Sequence, residues 1–187
     1  RGMVLVAEDE KINASIARTV LPPPFLQSSH QVNQVAALAV ALAEMLEFGQ
    51  AYAAQIVKNS QALAKGLVAR EIKLLGKPGD YTRSHQVILD CGGIASKRAF
   101  ALMHQLEEAN IITDCVVRLG TQQPARLGMG EKEMGTVAEI VSGVASGELS
   151  PAKARRQVKE LVSDFQKIHF CFEEDAEAFQ YFSLAAL

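Results

Sequence analysis

Tryptophan is absent and aromatic residues make up only 6% of the 187-residue chain, which removes the stacking platform that single-stranded nucleic acids use. Neither sign of charge dominates: 19 Lys and Arg stand against 21 Asp and Glu, for a formal net charge of -2. The cations are scattered among acids and form no stripe that would neutralise a phosphate backbone, so no nucleic-acid partner is expected. Cysteine is scarce as well. Cys91, Cys115 and Cys171 are far apart, form no CxxC pair and have no His at zinc-finger spacing, which reads as reduced thiols of a cytoplasmic protein with no metal site. The one long apolar stretch, residues 35–46, is shorter than the roughly 20 residues a membrane span needs. Neither a membrane location nor a signal peptide is expected.

What is present is 49% apolar residues with 21% charged, enough for one ordinary domain or for a small domain plus a piece of another. The chain opens on Arg1-Gly2-Met3, directly before the strand-like run at residues 3–7. A strand with nothing ahead of it suggests a chain cut from something larger.

Ile12, Ile16 and Val20 then recur at the four-residue spacing of a short helix, which Pro22-Pro23-Pro24 stops. From Val32 the apolar residues Val35, Ala39, Leu42 and Leu46 begin a second, long helix reaching to Val68. Its first half, residues 35–46, is apolar all round and is expected to be buried on every side, whereas the polar face returns beyond Gln50. Such a helix either leaves one core for another or crosses a single compact domain. Gln86 to Asp90 reads as a buried strand. Ser96 caps a helix striped by Ala99, Met103 and Leu106, which Asn110 closes. Ile111-Ile112 and Cys115-Val116-Val117 read as two short strand pieces, and a polar loop runs from Gly120 to Gly130. Two helices follow, one striped by Met134, Ala138 and Val141, the other opened by Ser150 and Pro151 and striped by Ala154, Val158, Leu161 and Phe165. The alternation indicates an α/β layer with helix-covered strands.

Chemistry is harder to find. Gly128-Met129-Gly130 lacks the third glycine of a dinucleotide fingerprint, and Ser150-Pro151-Ala152-Lys153 has the spelling of a penicillin-binding SxxK but the context of a helix cap. No histidine is paired with another ligand: His104 belongs on a solvated surface and His169 in a capping or packing role. Arg118 stands out. It follows Val116-Val117 and precedes Leu119-Gly120-Thr121, where a strand would deliver its last side chain to a loop and offer a planar fork to a carboxylate. A surface ion pair is the alternative.

Four pieces in fixed order carry a resemblance. Residues 36–65 (AALAVALAEMLEFGQAYAAQIVKNSQALAK) resemble the helix that leads from the large into the C-terminal domain of serine (glycine) hydroxymethyltransferases, in an archaeal-type or divergent form. Residues 81–90 (YTRSHQVILD) resemble that family's segment of threonine, histidine and a strand ending in aspartate. Residues 106–112 (LEEANII) and the block formed by residues 118–121 (RLGT), 126–129 (RLGM) and 131–134 (EKEM) match two further family segments. Arg1-Gly2-Met3 is similar to the RGG found a few residues after the lysine that holds the cofactor, which places that lysine upstream of Arg1.

The resemblance implies the C-terminal fragment of a fold-type I transferase that uses pyridoxal phosphate and acts on an amino-acid substrate as a homodimer. Residues 1–53 would be the end of the large domain with the start of the connecting helix, and residues 54–187 the small domain. Arg118 would grip the substrate carboxylate. Ser28, Ser29 and His30 stand where the family presents paired glycines to the partner's cofactor phosphate; they would bind phosphate or merely cap the loop. Catalytic residues are not expected in this chain, which alone should be inactive. The family's asparagine-bearing loop before the arginine, which contributes to its pterin site, is missing here: only Thr113 to Val117 fill the gap. Tetrahydropterin binding is therefore in doubt, and a pterin-independent aldolase or transaldolase of the same fold competes, as does a truncated interaction module.

Overall fold

The computed structural model describes residues 8–20, 31–173 and 176–178. The strand expected at residues 3–7 and the loop carrying Ser28, Ser29 and His30 lie outside the described residues. Two compact units divide the chain, residues 1–43 and 44–187.

In the first unit, helix α1 spans Glu10–Val20. Asp9 opens it: its carboxylate accepts from the backbone N–H groups of Lys11 and Ile12 at 2.9 and 3.0 Å, two of the donors a helix start leaves unpaired. Helix α2, Val32–Val68, contributes to both units. Its first half does not behave as its composition suggests. Residues 32–43 are all exposed, with Val35 at 67% and Leu46 just beyond at 91%. An apolar stretch states a preference for burial, not the presence of a covering surface, and the described residues supply none. By length and composition alone α2 also reaches what a membrane span requires, contrary to the shorter run estimated from residues 35–46.

The second unit holds the core. Within α2 the buried residues Asn59, Ser60, Leu63, Ala64 and Leu67 form the inner stripe. They pack beside strand β1 (Gln86–Ile88), helix α3 (Lys97–Glu108), strand β2 (Arg118–Gly120), helix α4 (Gln122–Arg126), helix α5 (Glu131–Ser146) and helix α6 (Pro151–Ser163). The strands are antiparallel, with Gln86 opposite Gly120, Val87 opposite Leu119 and Ile88 opposite Arg118. The segment around Leu74 pairs with the other side of the β1 edge, through a bridge to Leu89 and bonds from Leu75 N to Ile88 O at 2.9 Å and from Asp90 N to Lys73 O at 2.8 Å. Val87, Leu89 and Leu119 point inward, and α3, α5 and α6 pack on one another.

Local signals explain most boundaries. The Ser96 hydroxyl accepts from Ala99 N at 3.1 Å, and Asn110 stops α3 by adopting φ +62°, a left-handed stop that asparagine tolerates better than most residues. The inner stripe of α3 is Ala99, Leu102 and Leu106; Met103 is half-buried, so the expected stripe is turned by one residue. Ser150 and Pro151 open α6 as expected, although the Ser150 side chain makes no capping hydrogen bond. Gly128, at φ +86°, follows α4 and Gly130 caps α5, where Gly130 N donates to Glu133 Oε2 at 2.8 Å. The loop expected from Gly120 to Gly130 holds helix α4, and both expected strand pieces fail: Ile111-Ile112 are not in a strand, and Cys115-Val116 form a turn ahead of β2.

Candidate active site

That second failure bears on Arg118, which does not end a strand but begins one. The turn before it is built by Asp114. Asp114 Oδ1 accepts from the backbone N–H groups of Val116 and Arg118 at 3.1 and 3.2 Å, and Asp114 O accepts from Val117 N at 2.9 Å. Val117 pays for this closure with φ +56° while its side chain is fully buried. A left-handed conformation is strained for a β-branched residue, and such strain persists only where surroundings over-determine it.

The same aspartate holds the arginine side chain. Arg118 Nε donates to Asp114 Oδ2 at 2.5 Å, and Arg118 Nη2 bonds the same oxygen. Two donors on one edge of the guanidinium are thus engaged, while the side chain stays 46% exposed. The hydrogen bond from Arg118, reinforced by the backbone N–H donors, holds the Asp114 carboxyl below the usual carboxylate range against a smaller opposing effect of desolvation. The surface ion pair left open by the sequence is therefore present. It is compatible with ligand binding because the end-on edge, Nη1 with the second proton of Nη2, is not used by Asp114.

Surrounding contacts make the strand a rigid platform. Thr121, fully buried, donates its hydroxyl to Ile56 O at 2.9 Å, and its N–H bonds His85 O at 3.0 Å. Ser60 donates to Ser84 O at 2.6 Å, and the buried Asn59 side chain donates to Met129 O at 2.8 Å while accepting from Gln55 Nε2 at 2.8 Å. These bonds tie α2 to the two segments that flank Arg118. Along β2 the alternation sends Leu119 inward and Arg118 outward. An apolar cleft of about 490 Å³, lined by Leu119, Leu127, Met134, Val158 and Leu161, accordingly does not include Arg118.

Sequence reasoning missed a second charged cluster. Arg126 Nη2 bonds Glu44 Oε2 at 2.5 Å, Arg126 Nη1 donates to Phe170 O at 2.9 Å, and the guanidinium lies 5.8 Å from the Tyr52 ring centroid. Tyr52 in turn donates to Gln122 O at 3.1 Å and packs on Phe170, with 5.4 Å between centroids. His169 fits its packing role: a Cβ on Gly128 would lie 2.5 Å from His169 Nε2. His104 sits on the surface beside Glu107. No group of three or more His, Cys, Asp or Glu able to hold a metal occurs among the described residues. Ser28, Ser29 and His30, the expected phosphate-binding residues, lie outside the described residues.

No family model matches the chain. A serine hydroxymethyltransferase of Methanocaldococcus jannaschii is 41% identical over 199 residues, covering 96% of this chain and 45% of that protein. Another from Methanopyrus kandleri is 37% identical, covering 87% of this chain and 41% of that protein. Among solved structures, an L-threonine transaldolase from Pseudomonas fluorescens superposes with a TM-score of 0.73 at 31% identity, over 80% of this chain and 37% of that one. The chain thus spans less than half the length of these relatives. Its fold is α/β and matches a C-terminal portion of the fold-type I pyridoxal-phosphate transferases, and by sequence it belongs, as a C-terminal part, to the serine hydroxymethyltransferase family.

Proposed function

We propose that the complete protein is a pyridoxal-phosphate enzyme of the hydroxymethyltransferase type, acting at Cα of glycine or a β-hydroxy amino acid, and that this chain forms its C-terminal part. Residues 1–53 then close the large domain and residues 54–187 form the small one, in a cytoplasmic homodimer. The observation that carries the reading is Arg118, whose half-exposed side chain is fixed at the opening of β2 with an end-on edge that Asp114 does not occupy. That edge matches a carboxylate in a bidentate fork, and a bidentate grip limits how the rest of an amino acid can swing.

Pyridoxal phosphate, when bound, supplies the electron sink that weakens bonds at Cα. No described side chain of this chain is assigned to holding it, and the resemblance puts the lysine upstream, so the chain alone is inactive. This chain's contribution is orientation: Arg118 holds the acid group, while the Thr121, Ser60 and Asn59 bonds keep β2 from shifting. The remaining walls of the site come from the rest of the protein.

A second reading, a pterin-independent transaldolase or aldolase, is favoured by one feature. The link from α3 to β2 is a tight turn closed by Asp114, in place of the family's longer asparagine-bearing loop, and a solved relative is an L-threonine transaldolase. The test uses the full-length protein with serine plus a tetrahydropterin, and with threonine plus an aldehyde acceptor but no pterin. Turnover in the first assay alone supports the transferase; turnover in the second alone supports the transaldolase. Arg118→Ala should raise the amino-acid KM by about a hundredfold or more in whichever assay works. An unchanged KM would remove the arginine from the site.

A further inference from the structure

We propose that Asp114 is a positioning residue for amino-acid recognition, aligning the Arg118 guanidinium and partly neutralising it. The inference rests on the reading of Arg118 as the carboxylate grip and goes beyond it by assigning a role to the turn. Asp114 uses its two oxygens for different tasks. Oδ1 takes the backbone N–H groups of Val116 and Arg118, which locks the carboxylate to the main chain. Oδ2 takes Nε and Nη2 of Arg118, which locks the guanidinium to the carboxylate. The buried, left-handed Val117 pins the backbone between them. An arginine side chain has several rotatable bonds and on its own would sample many orientations; here its side edge is held by Asp114, which leaves the end edge to a ligand.

Two consequences follow, and they pull in opposite directions. Holding the guanidinium plane fixes the angle at which a carboxylate is received, which favours turnover. The negative charge on Asp114 also opposes a second carboxylate on the same cation, which weakens binding. A residue that only closed the turn would do neither.

The experiment compares Asp114→Asn and Asp114→Ser with Arg118→Ala in the full-length enzyme loaded with its cofactor, reading kcat and KM for the amino acid separately. Both Asp114 replacements keep a side-chain oxygen that accepts the N–H two residues on, so the turn is retained while the charge is removed. The expected result is a split: the amino-acid KM falls about twofold to fivefold as the competing charge goes, and kcat falls about tenfold as the guanidinium is released. Unchanged kcat and KM in both variants, alongside a large KM rise in Arg118→Ala, would overturn the role of Asp114 and leave that of Arg118 standing. An unchanged KM in Arg118→Ala would sink the carboxylate grip itself. Loss of folding in both Asp114 variants would overturn the positioning role in favour of a purely structural turn.

Discussion

At the scale of single residues, the turn at Asp114 shows how little of the site's geometry is carried by the residue that attracts notice. Arg118 was legible because an arginine between a valine pair and Leu119-Gly120-Thr121 invites a ligand, whereas its anchor four positions earlier was hidden in a segment that its β-branched neighbours made look like strand. The pairing has a measurable consequence in acid. Arg118 and the backbone donors lower the Asp114 pKa in the folded chain, so the carboxylate contributes stability that is fully present above its unfolded value of about 3.9. That contribution is lost as pH falls through the lower, folded value. Urea unfolding of Asp114→Asn should therefore lose less stability than the wild type between about pH 5 and pH 2.5; equal losses would show the pair to be absent in solution. Asn59 makes a stronger demand. It is fully buried and bonded to both Met129 O and Gln55, so Asn59→Leu leaves a buried carbonyl without a partner and should cost about 2–3 kcal/mol in chemical denaturation. A cost under about 0.5 kcal/mol would place that site among ordinary surface positions.

At the scale of elements, α2 and α5 approach so closely that one glycine decides the spacing. A Cβ on Gly66 would stand 2.8 Å from the Ala138 Cβ, a contact between short side chains that rotation cannot relieve. Helix propensity alone favours Gly66→Ala by about 1 kcal/mol, while overpacking opposes it by about 1–3 kcal/mol, so the single variant should be destabilised. In an Ala138→Gly background the clash is removed and the same change should turn neutral or stabilising. A cycle showing no coupling between positions 66 and 138 would refute the close packing. Elements of this kind were readable from sequence where the signal is local: the Ser96 cap, the Asn110 stop, Pro151 at the head of α6, and the Met134, Ala138, Val141 stripe all stand where spacing put them. Helix α4 was not, because five residues with Pro124 among them have no apolar period to detect. The docking of the chain beyond α6 was out of reach for another reason, since Arg126 meets Glu44 across 82 positions and Phe170 across 44, separations on which local patterning is silent.

At the scale of the whole molecule, the two halves of α2 obey different physics. Beyond Leu46 the helix has an inner stripe, Leu63, Ala64 and Leu67, and buried polar groups with partners, the marks of a water-soluble core. Before it, Val35, Leu38, Leu42 and Leu46 stand exposed at 67, 42, 43 and 91%. Apolar surface of this extent is normally an interface or an aggregation liability, and the composition of residues 35–46 is what a covered helix carries. Two destinations compete for it, protein and lipid. The helix is 37 residues long, about 55 Å at 1.5 Å per residue, well beyond the roughly 30 Å of a hydrocarbon core, and its second half is committed to the core through Leu63, Ala64 and Leu67 and the Asn59 and Ser60 bonds. Protein is therefore the expected cover. The isolated 187-residue chain should self-associate with rising concentration in sedimentation velocity, and should stay in solution rather than float with neutral phospholipid vesicles. Leu42→Lys with Leu46→Lys should shift the chain toward monomer, while changing unfolding free energy by no more than about 0.5 kcal/mol per site, as for exposed positions. Flotation with vesicles, abolished by the same two lysines, would instead assign this half of α2 to lipid.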